Sequence, residues 1–246
     1  MAGAKAGTVL VTGASRRIGA AIARDLAAHG WQVAIHYRQS AREANALVTE
    51  LREAGHSATA FAANFSNIDD MTALVSRCND ALGPITCLIN NASEFLRDDL
   101  ASLTDDLWAT HMDVNLRAPV FLARAIAAQL PPEAEGNIIN IIDQRAWRPT
   151  PDFFSYTLSK AALWPATQML AQALAPRIRV NAIAPGPVLQ STHQKPAEFE
   201  AEWKSTLLQR PASPQEIANA VRFILDAPAM TGQMIALDSG QHLAWR

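Results

Sequence analysis

Short apolar runs alternate with amphipathic stretches along almost the whole chain. The first run, TVLVTG at 8–13, is followed by a stretch whose apolar residues recur every three or four positions, which is typical of a strand followed by a helix. Strands are predicted at 8–13, 31–38, 56–65, 84–92, 138–142, 178–185 and 233–238. Helices are predicted at 18–30, 41–55, 67–83, 102–130, 154–174 and 214–225. Strands separated by helices predict an α/β fold, with a parallel sheet covered by helices on both faces.

The same pattern continues without a break that would mark a domain boundary. The chain has 246 residues and shows no repeat, low-complexity tract or linker, so we expect a single domain over 1–246. One region, 186–212, is weakly patterned and rich in proline and polar residues. It is long for a connection, and we expect it to be a substrate-binding lid.

Composition narrows the choice of partners. The net charge of −2 gives no basic field for nucleic acid or an anionic membrane. No apolar run approaches the roughly 20 residues that span a bilayer. The chain starts without a secretory h-region, so we expect a cytoplasmic protein. Cys78 and Cys87 lack metal or disulfide spacing, which predicts no metal site and suits a reducing compartment.

A glycine-containing loop, TGASRRIG at 12–19, lies between the first strand and the first helix. Gly13 permits a sharp turn, Gly19 permits close packing of helix on strand, and the helix N-terminus can bind a pyrophosphate. The spacing differs from G-x-G-x-x-G, so an ordinary turn is the alternative. Arg16 and Arg17 favour the dinucleotide site, because two cations at a helix N-terminus are unfavourable unless an anion binds there.

The end of the second strand indicates which dinucleotide binds. An NAD site normally has an acidic residue there, whereas this chain has His36, Tyr37, Arg38 and, two positions on, Ser40. A guanidinium and a hydroxyl suit a ribose 2′-phosphate, so NADP(H) is the predicted cofactor. The alternative for Arg38 is a solvated surface cation.

Two features carry candidate chemistry. Tyr156 and Lys160 are four residues apart and project from one helix face, where the lysine is expected to lower the pKa of the phenol. Asp143 ends the apolar strand 138–142. By itself it is either an Asx-type cap that begins a loop or a residue with a chemical role.

These pieces together resemble the short-chain dehydrogenase/reductase family over essentially the whole chain. The matching motifs are TGASRRIG (12–19), NNA (90–92), VN (114–115), YTLSK (156–160), VNAIAPGPV (180–188) and TGQMIALDSG (231–240). The resemblance implies a doubly wound Rossmann-type sheet of about seven strands and a homotetramer in which 102–130 and 154–174 form one interface. It also implies Asn115, Tyr156 and Lys160 as catalytic residues, with the Pro185–Gly186 turn against the nicotinamide.

The fourth catalytic position is normally Ser and is here Asp143. This departure resembles the pteridine reductases and the dihydromonapterin reductases. Arg17, Ser93 and Phe95 agree with that subgroup, in which an aromatic residue stacks the pterin opposite the nicotinamide. The implied substrate residues are therefore Arg17, Ser93, Phe95, Asp143 and Tyr156, with an Asp–Tyr–Lys relay for the proton. Phe95 as a plain core residue is the alternative.

The predicted cofactor contacts combine the loop, the second strand and the resemblance. They are Gly13, Ser15, Arg16, Arg17, Ile18, Gly19, His36, Tyr37, Arg38, Ser40, Asn64, Phe65, Asn91, Ala92, Ser93, Lys160, Pro185, Gly186 and Val188. His111 and His193 lack partners at triad or ligand spacing, so neither is predicted to act in catalysis. The C-terminal residues 243–246 are a candidate for reaching a neighbouring subunit's pocket.

Three functions remain open at this point. The favoured one is an NADPH-dependent reductase of a pterin or dihydropterin, with dihydrofolate as a further substrate. A carbonyl reductase of the wider family, resembling 3-oxoacyl reductases, is less favoured because of Asp143 and Phe95. A non-enzymatic NADP-binding regulator is disfavoured by the presence of Asn115, Tyr156 and Lys160.

Overall fold

The computed structural model describes residues 6–191 and 194–244 and is organised around a seven-stranded, entirely parallel sheet. Its strand order is β3-β2-β1-β4-β5-β6-β7. The strands are β1 (Thr8–Val11), β2 (Gln32–Tyr37), β3 (Ala58–Ala62), β4 (Ile85–Asn90), β5 (Gly136–Ile141), β6 (Ile178–Pro185) and β7 (Met234–Leu237). His193 and the last two positions, 245–246, for which expectations were stated, lie outside the described residues.

The central strands are buried on both faces, which explains why they are apolar without alternation. All four residues of β1 are buried, and Leu10 lies opposite Ala34 of β2 on one side and Leu88 of β4 on the other. Helices on both faces of a parallel sheet remove both faces from water, so near-continuous apolar runs are required there.

Helices form two layers on this sheet. They are α1 (Arg17–Ala28), α2 (Ala41–Glu53), α3 (Ile68–Leu82), α4 (Asp105–Met112), α5 (Ala118–Gln129), α6 (Phe154–Leu174), α7 (Pro196–Lys204) and α8 (Pro214–Leu225). Leu26 of α1 and Val221 of α8 belong to one core cluster. Leu74 of α3 and Leu122 of α5 belong to a second. The predicted doubly wound Rossmann-type fold is confirmed.

Two helical predictions need correction in detail. The helix predicted over 102–130 begins after Thr104, whose hydroxyl caps it by accepting the Leu107 N–H at 3.3 Å, and it contains a π-helical segment, Asp113–Arg117, between α4 and α5. The weakly patterned stretch 186–212 contains α7, a helix that the sequence analysis missed. No residue of α7 is buried, so the helix needs no apolar face, and the periodicity of its apolar residues is weak.

The strand order fixes where a ligand can bind. The chain runs outward from β1 to β3 and then, from β4, outward in the other direction, so the crevice between β1 and β4 opens at the carboxyl ends of the strands. The glycine loop at 12–19, the residues after β4 and Asp143 all follow strands at that edge. Within the described residues, no helix is both long and apolar enough to cross a membrane.

Candidate active site

A cleft of about 1000 Å³ opens at the carboxyl edge of the sheet. Nearly all the predicted site residues line it: Gly13, Ser15, Arg16, Arg17, Ile18, Gly19, His36, Tyr37, Arg38, Ser40, Phe65, Asn91, Ala92, Ser93, Phe95, Asp143, Tyr156, Lys160, Pro185, Gly186 and Val188. Two do not. Asn64 is exposed beside the cleft, where its side chain accepts the Ser66 N–H, and Asn115 is fully buried behind it.

The glycine loop has the shape that a dinucleotide requires. Gly13 has φ +60°, and a Cβ there would come within 2.8 Å of the Ala92 backbone. A Cβ on Gly19 would meet the Asn91 amide at 2.5 Å. Helix α1 starts without a side-chain cap or an acidic residue in its first turn, so its N–H groups and positive dipole end remain available to an anion. These residues fit the pyrophosphate of NADP.

His36 supports this loop from behind. Its Nδ1 accepts the Gly13 N–H at 3.0 Å, which leaves Nε2–H to donate to the Ala63 carbonyl at 3.0 Å. The ring also stacks on Phe65, with centroids 4.2 Å apart. Burial lowers the pKa of His36 to about 4, so the ring stays neutral and can keep accepting from the loop.

Two arginines that were predicted to meet phosphate have protein partners here. The Arg38 guanidinium forms an ion pair with the Glu94 carboxylate. Arg17 donates to the carbonyls of Leu189 and Gln190 at 3.0 and 2.8 Å, so it ties the glycine loop to the start of the 186–212 stretch. From that stretch, α7 adds Glu198 to the cleft wall.

The catalytic candidates meet where β5 and α6 adjoin. The Tyr156 hydroxyl donates to Asp143 Oδ2 at 2.8 Å. Asp143 Oδ1 accepts the Arg145 N–H at 2.8 Å, and Oδ2 lies 3.3 Å from the Arg145 guanidinium. Asp143 is therefore both an Asx-type cap and a partner of the tyrosine. Lys160 donates to the Ile141 carbonyl at 2.9 Å and is almost fully buried.

The expected lowering of the phenol pKa is wrong for this arrangement. Burial raises the pKa of Tyr156 well above its ordinary value, and the charge of Asp143 and its hydrogen bond raise it further, whereas Arg145 opposes them. Burial also lowers the pKa of Lys160 to about 8, partly countered by Asp143. Tyr156 is consequently a protonated donor near neutral pH, and its ring centroid is 5.9 Å from the lysine Nζ.

Aromatic rings form the wall next to Tyr156. Phe95 stacks on Phe153 with centroids 4.3 Å apart and planes 7° from parallel. It meets the Tyr156 ring edge-on at 4.6 Å. The Arg145 guanidinium lies 5.7 Å from the Phe95 centroid and 5.5 Å from that of Phe153. Phe153 therefore stacks on the Phe95 ring, and Phe95 also lines the cleft.

Asn115 lies in the π-helical segment and holds the cleft wall from inside. Its Oδ1 accepts the Glu94 N–H at 2.9 Å, and its Nδ2 donates to the Glu94 carbonyl at 3.0 Å and to Ser159 at 3.1 Å. It therefore joins the 93–95 stretch to the helix that carries Tyr156 and Lys160.

Several residues at or behind the site were missed by the sequence analysis. Arg145 had a signal, since an Asx turn at Asp143 places residue 145 beside it. No feature of the sequence indicated that Glu94 or Phe153 would lie at the site. His111, which has no partner at triad or ligand spacing in the sequence, forms hydrogen bonds with Ser155 and with the Leu96 backbone in the fold.

The turn after β6 completes the cleft. A Cβ on Gly186 would lie 2.7 Å from the Asp238 side chain, and the Gly186 N–H donates to the Leu237 carbonyl at 3.1 Å. Only glycine fits this close approach of two chain segments. The turn thereby presents Pro185 and Val188 to the cleft.

The fold and the site together define an NADP-dependent oxidoreductase. The sequence matches the family described as Enoyl-(Acyl carrier protein) reductase over residues 13–242. The chain belongs to the short-chain dehydrogenase/reductase family.

Particular relatives refine this assignment. The crystal structure of FolM Alternative dihydrofolate reductase 1 from Brucella canis complexed with NADP is 49% identical, with a TM-score of 0.95, and the match covers 98% of this chain and 95% of that one. A blue fluorescent protein from a metagenomic library, in complex with NADPH, is 34% identical with a TM-score of 0.90, covering 98% and 99% of the two chains. The 3-oxoacyl-[acyl-carrier-protein] reductase of Synechocystis sp. is 33% identical over 235 residues, which is 94% of this chain and 95% of that protein.

Proposed function

We propose that this enzyme reduces the ring of a pterin or dihydropterin, including dihydrofolate, at the expense of NADPH. The observation that carries the proposal is the carboxylate of Asp143, which accepts the Tyr156 hydroxyl at 2.8 Å beside the Phe95 wall. A pterin is a flat polar heterocycle, which suits an aromatic face with polar groups at its edge. The likeness to a FolM Alternative dihydrofolate reductase 1 supports the same substrate class.

The cofactor residues have distinct roles in this proposal. The N-terminus of α1 binds the pyrophosphate, Arg38 and Ser40 hold the 2′-phosphate, and Lys160 binds the nicotinamide ribose. NADPH, when bound, supplies the hydride. The Glu94 carboxylate pairs with the Arg38 guanidinium, so it offsets part of the positive charge that the 2′-phosphate would meet.

The chain's own contribution to the chemistry is a proton. A C=N bond that accepts hydride at carbon needs a proton at the adjacent nitrogen, and a neutral phenol can donate it. Its raised pKa keeps Tyr156 protonated before the reaction. Asp143 lies within hydrogen-bond distance of the phenol oxygen, so after the phenol has given up its proton the carboxylate can take up a proton from solvent and pass it to the phenolate. Arg145 holds the carboxylate in that position.

The substrate side of the cleft includes groups for recognition. Phe95 provides the aromatic face, while Ser93 and Arg17 provide polar groups at the rim. We propose that the 186–212 stretch acts as a lid, because Glu198 of α7 lines the same cleft and Arg17 links its first residues to the glycine loop. A homotetramer and a cytoplasmic location are further parts of the proposal that follow from the family.

The second candidate is reduction of a 3-oxoacyl thioester, favoured by relatives such as the Synechocystis reductase. NADPH oxidation with dihydrofolate, dihydrobiopterin, dihydromonapterin and an acetoacetyl thioester separates the two. We expect the parent enzyme to reduce at least one pterin and the Tyr156→Phe variant to lose that activity. Absence of turnover with all three pterins, alongside reduction of the thioester, would refute the proposal in favour of the second candidate.

A further inference from the structure

A buried polar network outside the proposed machinery connects α4, α6 and the 93–98 stretch. It consists of Asp98, Ser155 and His111, all at most 2% exposed. Buried polar groups of this kind are costly unless every hydrogen bond is made, and a complete network specifies one local geometry. The pteridine chemistry proposed above uses none of the three.

The hydrogen bonds define the direction of each donor. Nε2 of His111 accepts the Leu96 N–H at 3.1 Å. A neutral imidazole then carries its proton on Nδ1, which lies 2.6 Å from the Ser155 hydroxyl and donates to it. The Ser155 hydroxyl in turn donates to the Asp98 carboxylate. Burial lowers the pKa of His111, which agrees with a neutral ring.

Asp98 also supplies the cap that α6 lacks. The residue before α6, Phe153, is left-handed at φ +56° and makes no side-chain cap. The Asp98 carboxylate accepts the Ser155 N–H at 3.2 Å, and the Asp98 carbonyl accepts the Phe154 N–H at 3.3 Å. A carboxylate at a helix N-terminus is favourable because it meets the positive dipole end and satisfies free N–H groups.

Hydrogen bonds to the backbone hold the residues next to Phe95, and the network also includes the residue before Tyr156. Phe95 lies between Glu94, whose backbone is held by Asn115, and Leu96, whose backbone is held by His111. Tyr156 immediately follows Ser155. The Phe95 and Tyr156 rings, 4.6 Å apart and nearly perpendicular, are thus each fixed through the same network.

We propose that Asp98, Ser155 and His111 are positioning residues that hold the aromatic wall at Phe95 in register with the proton donor Tyr156. The network acts through backbone and helix placement and does not touch substrate. A flat ring on the wall is then presented to the phenol at one distance and angle. Its kinetic consequences rest on the proposed function, whereas the placement of Tyr156 does not.

Nuclear magnetic resonance tests the placement without any substrate. The chain has 2 tyrosines, so ¹³Cζ-tyrosine labelling gives two resonances, and Tyr37→Phe assigns them. Ser155→Ala and Asp98→Asn are expected to shift or broaden the Tyr156 resonance, and Ser155→Thr, which keeps the hydroxyl, to restore it. Thr167→Ala is the matched control, because Thr167 is an equally buried hydroxyl on α6 that bonds to Asn140 and Leu163, far from the wall.

Kinetics supply the second readout. Ser155→Ala should raise the KM for dihydrofolate about 5- to 10-fold, as expected for one hydrogen bond lost from a positioned site, while the NADPH Kd stays within about twofold. Thr167→Ala should lower the melting temperature without either change. If Ser155→Ala and Asp98→Asn reproduce Thr167→Ala, with an unmoved Tyr156 resonance, the network is only structural and the proposal is overturned. If the parent protein reduces no pterin, the proposed function fails, and the resonance still decides the placement.

Discussion

Replacing Asp143 with asparagine isolates the part of this residue that concerns chemistry. Asparagine keeps a side-chain oxygen that can cap the Arg145 N–H, now at 2.8 Å, but it removes the charged acceptor of the Tyr156 hydroxyl. Because Asp143 raises the pKa of Tyr156 both through its charge and through its hydrogen bond, that pKa should fall in the variant. The alkaline limb of the kcat profile is then expected to move to lower pH.

The size of the rate effect follows from the lost acid–base group. A positioned acid–base group contributes about 10²- to 10⁴-fold to a rate, and because Tyr156 remains as the donor we expect kcat to fall at least about tenfold. The assay is NADPH oxidation with dihydrofolate across pH, and the NADPH Kd from fluorescence shows whether the cofactor site is intact. Circular dichroism at the assay temperature accounts for folding, because the variant also removes the ion-pair partner of Arg145.

Glu50→Gln provides the matched control. It breaks another carboxylate–arginine pair, with Arg24 at 2.7 Å, on the surface away from the cleft. It should leave both the rate and the pH profile unchanged. A kcat for Asp143→Asn within about twofold of the parent, with the alkaline limb in place, would refute the proton relay, since the predicted loss is at least about tenfold.

Three further predictions test the cofactor site and the buried lysine. Glu94→Gln should tighten NADPH binding about two- to fivefold, because it removes a negative charge that offsets Arg38, and it should have no effect on NADH, which lacks the 2′-phosphate. Weaker NADPH binding in a fluorescence titration would contradict this electrostatic argument. Gly19→Ala should weaken NADPH binding at least about tenfold and lower stability by about 1–3 kcal/mol in thermal melts, because its Cβ would overlap the Asn91 amide; a parent-like Kd would argue against close packing at the loop. For Lys160, the folded pKa of about 8 lies below the ordinary 10.5, so the unfolded chain binds an additional proton between these two pH values. The parent should therefore gain stability relative to Lys160→Met as the pH rises through that window. Urea unfolding at several pH values checks this, and parallel plots of stability against pH for the two proteins would refute it.

The pattern of the sequence was sufficient for the seven strands of the sheet, for most of the helices and for the edge of the sheet where the site lies. The helices 154–174 and 214–225 were both predicted with the bounds that the structure gives. Gly13 and Asp143 follow strands, so both reach one cleft because parallel strands all end at the same edge. Tyr156 lies on α6, and the packing of that helix brings it to Asp143.

The tertiary structure decided which distant residues form hydrogen bonds with each other and how burial shifts the pKa values. Ser155 meets His111 and Asp98 across 44 and 57 positions of sequence, and no local period encodes such pairs. The direction of the Tyr156 pKa shift was mispredicted for the same reason. The four-residue spacing to Lys160 is local, but the desolvation of the phenol and the approach of Asp143 arise only when α6 packs on β5.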